Sequence, residues 1–110
     1  GDGFTWDTNN PEKDRKTASK AFAIVKEKLT SGKYQVILLD EINYVLHYGF
    51  LPLDEVLKTL RDKPENVHVV CTGRNAPDQL IELADLVTEM RCIKHPYKDQ
   101  NIPAQKGIEF

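Results

Sequence analysis

The sequence lacks the features that mark a secreted, membrane-embedded or nucleic-acid-binding protein. No apolar run approaches the roughly 20 residues needed to span a bilayer, and no stretch has the pattern of a signal peptide. The net charge is -2 with acidic and basic residues interspersed, so no basic stripe is available to follow a phosphate backbone. We therefore expect a cytoplasmic protein that binds neither nucleic acids nor membranes.

Cysteine is also scarce: the chain contains two. Cys71 and Cys92 both fall on predicted strands, and their separation does not match the spacing of metal ligands. Disulfides are rare in cytoplasmic proteins. We therefore expect both side chains to be reduced, partly buried thiols.

A glycine-rich phosphate-binding loop is missing from these residues. The pattern G-x-x-x-x-G-K-[ST], whose backbone amides cradle nucleotide phosphates, does not occur in the sequence. The segment Ser31-Gly32-Lys33 follows a predicted helix and precedes a predicted strand, which is the wrong order for such a loop. A triphosphate site formed by these residues alone is therefore expected to be incomplete.

What the sequence does contain is an alternation of helix and strand patterns. Its composition, with 40% hydrophobic and 29% charged residues, is ordinary for a globular protein. Such alternation predicts an α/β fold with a mainly parallel sheet, and we expect residues 1–110 to form a single domain. The predicted helices begin at Pro11 (capped by Asn10 and ended by Gly32), Pro52 and Pro77, and the predicted strands cover 35–39, 67–71 and, as an edge strand, 86–93.

The most informative segment is the run of four aliphatic residues at 36–39, which is followed by Asp40 and Glu41. Such a run predicts a strand buried on both faces. Ligands of open α/β sheets bind beyond the carboxyl ends of the strands, so the two acids emerge where a metal-bound phosphate would lie. One or both carboxylates can hold Mg²⁺ directly or through water. The alternative, that the strand simply ends in solvated acids, is equally compatible with this pattern.

Two further segments carry candidate ligand-binding residues. Thr72-Gly73-Arg74 follows the second predicted strand and therefore lies at the same sheet edge as the acid pair. The planar fork of Arg74 suits an oxyanion, although a surface ion pair is the commoner role of an arginine. Phe4 and Trp6 lie in a glycine-led loop, where exposed aromatic rings can stack on a flat ring system. Taken by itself, that segment favours the alternative that the two rings seal a core.

Four segments together resemble one enzyme family. They read GDGFTWDT at 1–8, VILLDEINYVLHYGFLPLDEV at 36–56, VVCTGRNAPDQLIELADLVTEM at 69–90 and AQKGIEF at 104–110. In this combination the chain is similar, over essentially its whole length, to the P-loop type of ATP:corrinoid adenosyltransferase. The resemblance implies a three-layer, RecA-like sheet of the P-loop NTPase type. This chain would be its C-terminal portion, with the N-terminal strands and the P-loop missing.

The resemblance also implies an activity and its participants. Family members transfer the 5′-deoxyadenosyl group of ATP to the cobalt of a reduced corrinoid, cob(I)alamin or a precursor, and release triphosphate. They commonly act as homodimers, and a flavoprotein can reduce the cobalt. Without the P-loop half, this chain alone is expected to be inactive. The residues implied by the family motifs are Glu41, Thr72 and Arg74 for ATP, Asp40 and Glu41 for magnesium, and Phe4 and Trp6 for the corrinoid.

Two other functions are compatible with the sequence. A remnant of another P-loop ATPase or kinase would share the acid pair, but it would give no role to Phe4 and Trp6. A non-catalytic α/β interaction domain, which uses the scaffold only as a binding surface, agrees with the missing phosphate loop.

Overall fold

Helices and strands alternate along residues 10–93, the part of the chain that the computed structural model describes. The elements are α1 (Pro11–Thr30), β1 (Val36–Leu39), α2 (Ile42–His47), α3 (Leu53–Arg61), β2 (His68–Cys71) and α4 (Asp78–Leu83). The two strands pair in parallel, with Val36 opposite His68 and Leu39 opposite Cys71. The predicted α/β fold with a parallel sheet is thus confirmed.

The first helix begins and ends where its local sequence signals indicate. The side chain of Asn10 accepts a hydrogen bond from the backbone N–H of Lys13 at 3.2 Å, and Pro11 takes the first helical position, where a missing N–H has no cost. Beyond the helix, Gly32 adopts a φ of 77°, a left-handed conformation that glycine tolerates. Neither α1 nor any other helix within 10–93 is long and apolar enough to cross a membrane.

The hydrophobic core packs one face of β1 against apolar side chains from all four helices. Full burial of an aliphatic or phenyl side chain contributes roughly 1.5–3 kcal/mol, so this cluster dominates the stability of the fold. Its buried members are Ala18, Phe22, Leu29, Ile37, Leu39, Ile42, Val45, Phe50, Leu51, Val56, Leu57, Leu60, Val67 and Leu80.

Only one face of the sheet is covered. Ile37 and Leu39 are buried, whereas Val36 and Leu38 are each 59% exposed. On the neighbouring strand, Val70 is 46% exposed. The prediction that β1 is buried on both faces is therefore wrong for the described residues. Successive residues of a strand point to opposite faces, and no described element shields the second face.

The edge strand predicted over 86–93 is also wrong. These residues form no strand, and Leu86, Met90 and Ile93 are 83%, 81% and 86% exposed. Their alternating pattern is typical of an edge strand, but a strand also needs a partner for its backbone hydrogen bonds. In the described part of the chain, β1 and β2 pair only with each other.

The helix α2 was not predicted from the sequence. Ile42 and Val45 are buried at helical spacing, and Leu46 packs against the core from the same helix. The helix has only six residues, which is too short for periodicity to distinguish it from a strand. Its position matters for function because it begins directly after Glu41.

Candidate functional site

The carboxyl ends of β1 and β2 bring the acid pair and Thr72 together. Because the strands are paired in register with Leu39 opposite Cys71, the next residues of the two strands are neighbours. The hydroxyl of Thr72 donates a hydrogen bond to Oδ1 of Asp40 at 2.8 Å. The hydroxyl oxygen of Thr72 in turn accepts a hydrogen bond from the backbone N–H of Glu41 at 3.0 Å. One side chain, directly after β2, thus holds both residues of the acid pair.

Backbone hydrogen bonds join the two loops that carry these residues. The N–H of Thr72 donates to the carbonyl oxygen of Leu39 at 3.2 Å, which extends the ladder by one residue. The N–H of Asn43 donates to the carbonyl oxygen of Thr72 in a longer contact of 3.5 Å. The loop after β1 and the loop after β2 are therefore held at a fixed separation.

Glu41 has an unusual backbone conformation. Its φ of 59° and ψ of 26° lie in the left-handed region, which costs a residue with a side chain roughly 1–2 kcal/mol. Glu41 stands at the N-terminal end of α2, but its exposed side chain makes no capping hydrogen bond to that helix. A conformation of this kind at an exposed acid is typical of functional sites, where strain persists because the surroundings enforce it.

Asn43 and Gly73 are in close contact behind the acid pair. Asn43 is only 4% exposed, and Oδ1 of its amide is buried without a hydrogen-bond partner in the described structure. Leaving such an acceptor unpaired costs about 1–3 kcal/mol. A Cβ atom on Gly73 would lie 2.8 Å from the Cβ of Asn43, and the φ of Gly73 is 134°. Glycine is therefore required at position 73.

Sequence analysis did not identify Asn43 as a site residue. The available signal was a single amide in an otherwise apolar and aromatic segment that follows the two acids directly. We call Asp40, Glu41, Asn43, Thr72 and Gly73 the strand-end cluster.

Arg74 lies at the rim of the strand-end cluster. Its side chain is exposed, and it forms no ion pair within 10–93, where the ion pairs are Arg15–Glu12 and Lys26–Glu55. The guanidinium is therefore accessible to an oxyanion ligand. Phe4 and Trp6, the residues predicted to contact a corrinoid, lie outside the described residues.

The donor set of the cluster suits a magnesium nucleotide. The described residues contain no group of three or more His, Cys, Asp or Glu side chains placed to hold a metal ion. Mg²⁺ differs from structural metals in that one or two carboxylates commonly hold it, while water and substrate phosphates complete its octahedron. Asp40 and Glu41 are two adjacent carboxylates of the kind that such partial coordination uses.

The two cysteines differ in their surroundings. Both are free, Cys71 half-buried at the end of β2 and Cys92 exposed. The expected partial burial is thus correct for Cys71 and wrong for Cys92. Burial raises the pKa of the Cys71 thiol above its usual value. The thiol therefore stays protonated at neutral pH, which makes it a poor nucleophile.

Comparison with known proteins identifies the family. The family model described as ATP:corrinoid adenosyltransferase BtuR/CobO/CobP matches residues 1–110. The chain belongs to this adenosyltransferase family. The resemblance predicted from the FTWDT, LDE and TGR motifs is confirmed.

Individual adenosyltransferases agree with this assignment. The chain is 48% identical to the corrinoid adenosyltransferase of Sinorhizobium sp over 100% of its residues, and 43% identical to that of Pseudomonas aeruginosa over 100%. It is 39% identical to that of Escherichia coli K12 over 98% of its residues. It covers 51%, 54% and 55% of these proteins, respectively. The chain therefore spans about half the length of the curated relatives it matches.

Proposed function

We propose that the protein, at its full natural length, is a corrinoid adenosyltransferase. It transfers the 5′-deoxyadenosyl group of ATP to the cobalt of a reduced corrinoid, cob(I)alamin or a precursor of it, and releases triphosphate. The observation that supports this proposal is the strand-end cluster. Two carboxylates and a threonine converge at the carboxyl edge of a parallel sheet, in a chain that belongs to this family.

The chemistry of the reaction explains what these residues contribute to the site. The electron pair of cobalt(I) forms the new bond to C5′ of ATP while the C5′–O bond breaks, and triphosphate leaves with the electrons of that bond. This displacement needs little proton transfer from the protein. It needs positioning of the reactants and neutralisation of the charge on the departing triphosphate. Carboxylates that hold magnesium, with an arginine at the rim, supply part of the second requirement, and the phosphate loop of the family supplies the rest.

We assign the residues of the site as follows. Asp40 and Glu41 hold the magnesium ion of magnesium-ATP, directly or through water, and the bound ion supplies charge neutralisation. Thr72 orients the carboxylate of Asp40, with which it shares a hydrogen bond of 2.8 Å. Arg74 contacts a phosphate oxygen, a role that its exposed position permits.

The proposal extends to the corrinoid and to the assembly. Phe4 and Trp6 face the corrin and help to remove its lower axial ligand, which allows a flavoprotein partner to reduce the cobalt. Residues 1–110 form the C-terminal portion of a three-layer, RecA-like domain, which acts as a homodimer in the cytoplasm. The parallel pairing of β1 and β2 supports such a sheet. The 110 residues alone, whose sequence has no phosphate loop, bind ATP weakly and are inactive.

Replacement of Glu41 by glutamine tests the proposal. We expect Glu41→Gln to raise the magnesium concentration needed for half-maximal activity roughly tenfold or more, because metal affinity falls by about that factor when a supporting group is lost. The measurement is the rate of adenosylcobalamin formation from ATP and reduced cobalamin by the natural full-length protein, over a magnesium series.

Glu65→Gln is the matched control, because Glu65 is an exposed acid in the turn before β2. It should leave the magnesium dependence unchanged. An unchanged dependence in Glu41→Gln would remove Glu41 from the metal site. A wild-type protein that forms no adenosylcobalamin would refute the proposed function itself.

A further inference from the structure

Asn43 occupies a position where packing alone favours a different residue. It belongs to the first turn of α2, two residues after Glu41, and its amide oxygen is buried without a partner in the described structure. A leucine has a similar shape and would fill this space without a desolvated acceptor. Buried acceptors in native proteins usually have a partner, which is protein, ordered water or a ligand. A partner supplied by a ligand explains why an amide stands here.

The surroundings of Asn43 indicate where such a partner would be. Its Cγ lies 3.3 Å from the place where a Cβ of Gly73 would be, and its backbone N–H contacts the carbonyl oxygen of Thr72. The side chain therefore lies between the loop that carries the acid pair and the loop that leads to Arg74. A ligand held by both loops passes close to it.

We propose that Asn43 is a further ligand-positioning residue, whose buried amide hydrogen-bonds to the magnesium nucleotide bound at the acid pair. This inference rests on the proposed function, because it requires a magnesium nucleotide at that site. The partner is a hydrogen-bond donor that belongs to the nucleotide complex. Metal-bound water and the hydroxyl or amino groups of the nucleotide can all donate such a hydrogen bond. Asn43 contributes to binding of the nucleotide and has no part in binding the corrinoid.

The test compares Asn43→Leu and Asn43→Ala with the wild type in the natural full-length protein. Leucine keeps the volume and removes the amide, while alanine keeps only the Cβ that contacts Gly73. We expect both variants to raise the Kd for magnesium-ATP and the KM for ATP roughly 3- to 10-fold, as loss of one hydrogen bond does. The KM for the corrinoid should stay unchanged. The unfolding midpoint of ligand-free Asn43→Leu should not fall, since the unpaired acceptor is gone.

Asn66→Leu is the control, because Asn66 is an exposed amide in the turn before β2. It should bind magnesium-ATP as the wild type does. The inference is overturned if both Asn43 variants bind magnesium-ATP with wild-type affinity. It is also overturned if they raise the KM for ATP and for the corrinoid equally while the unfolding midpoint falls, since that result indicates a structural role. A wild-type protein that does not bind magnesium-ATP would instead refute the proposed function.

Discussion

Glu41 combines an acidic side chain with a left-handed backbone conformation that a glutamate disfavours. Its left-handed backbone turns the chain from β1 directly into α2. The hydroxyl of Thr72 accepts a hydrogen bond from the N–H of Glu41. Glycine is the residue that suits this conformation best, yet the sequence has a glutamate there. The carboxylate does not cap α2, so capping does not explain why a glutamate occupies this position. Binding of a ligand by the carboxylate would explain it.

Replacement of Glu41 by glycine should separate these two effects. We expect Glu41→Gly to raise the free energy of unfolding of the ligand-free protein by up to about 1.6 kcal/mol. Relief of left-handed strain gives roughly 1–2 kcal/mol, and the greater freedom of glycine in the unfolded chain offsets about 0.4–1 kcal/mol of it. Affinity for magnesium-ATP should fall in the same variant. Urea denaturation and a binding titration measure the two quantities.

Asn75→Gly provides the comparison, because Asn75 also has a positive φ, of 54°. Asparagine tolerates the left-handed region better than glutamate does, so the gain in stability should be smaller. A lower stability of Glu41→Gly than of the wild type would show that its side chain supports the fold.

At the scale of elements, helix boundaries depend on signals that are local in the sequence. Asn10 and Pro11 start α1, and Pro52 and Pro77 directly precede α3 and α4. These residues act on their own backbone or on the next turn, so their effect does not depend on the rest of the fold. This is why the starts of the three helices agree with the sequence analysis to within one residue.

The cap of α1 is open to a direct test. Asn10→Ala should lower the free energy of unfolding by about 1 kcal/mol, because it leaves the N–H of Lys13 without its acceptor. Asn66→Ala, at an exposed turn position, should change it by less than about 0.5 kcal/mol. Chemical denaturation of the two variants beside the wild type gives both numbers. Equal values for the two would show that the cap is not needed in the folded chain.

Several features that were not predicted from the sequence depend on distant parts of the chain. Whether Leu38 is covered depends on another layer, and whether residues 86–93 form a strand depends on a partner ladder. The burial of Asn43 depends on the approach of Gly73 from the other loop. By contrast, the convergence of Asp40 with Thr72 was predictable, because parallel strands end at the same edge. The left-handed turn at Glu41 has no sequence signal, since glutamate disfavours it.

At the scale of the molecule, one side of the sheet leaves apolar side chains exposed in the part of the chain that the structure describes. Val36, Leu38 and Val70 point away from the packed face and are about half exposed or more. Within 10–93 the sheet has only two strands, so each strand also has an outer edge without a partner. Open edges and apolar faces of this kind favour association with another polypeptide.

Self-association of the 110-residue chain should therefore depend on Leu38. We expect Leu38→Lys to weaken association roughly tenfold or more, since burial of one leucine side chain is worth about 1.5–3 kcal/mol. Ile24→Lys is the matched control, because Ile24 is also exposed, at 44%, but lies on α1. Sedimentation over a concentration series measures both. A chain that stays monomeric at high concentration, or an equal effect of the two variants, would contradict this use of the sheet face.

The two connections that leave the carboxyl edge of the sheet differ in length, with a consequence for how the family can diversify. Only Asp40 and Glu41 separate β1 from α2, whereas residues 72–77 separate β2 from α4. An extra residue in the short connection would rotate α2 and move the two acids out of hydrogen-bonding distance of Thr72. The longer connection runs over the surface and tolerates insertions more readily. We therefore expect homologues to vary in length at 75–77, beyond Thr72 and Gly73, while the acidic corner keeps its dimensions.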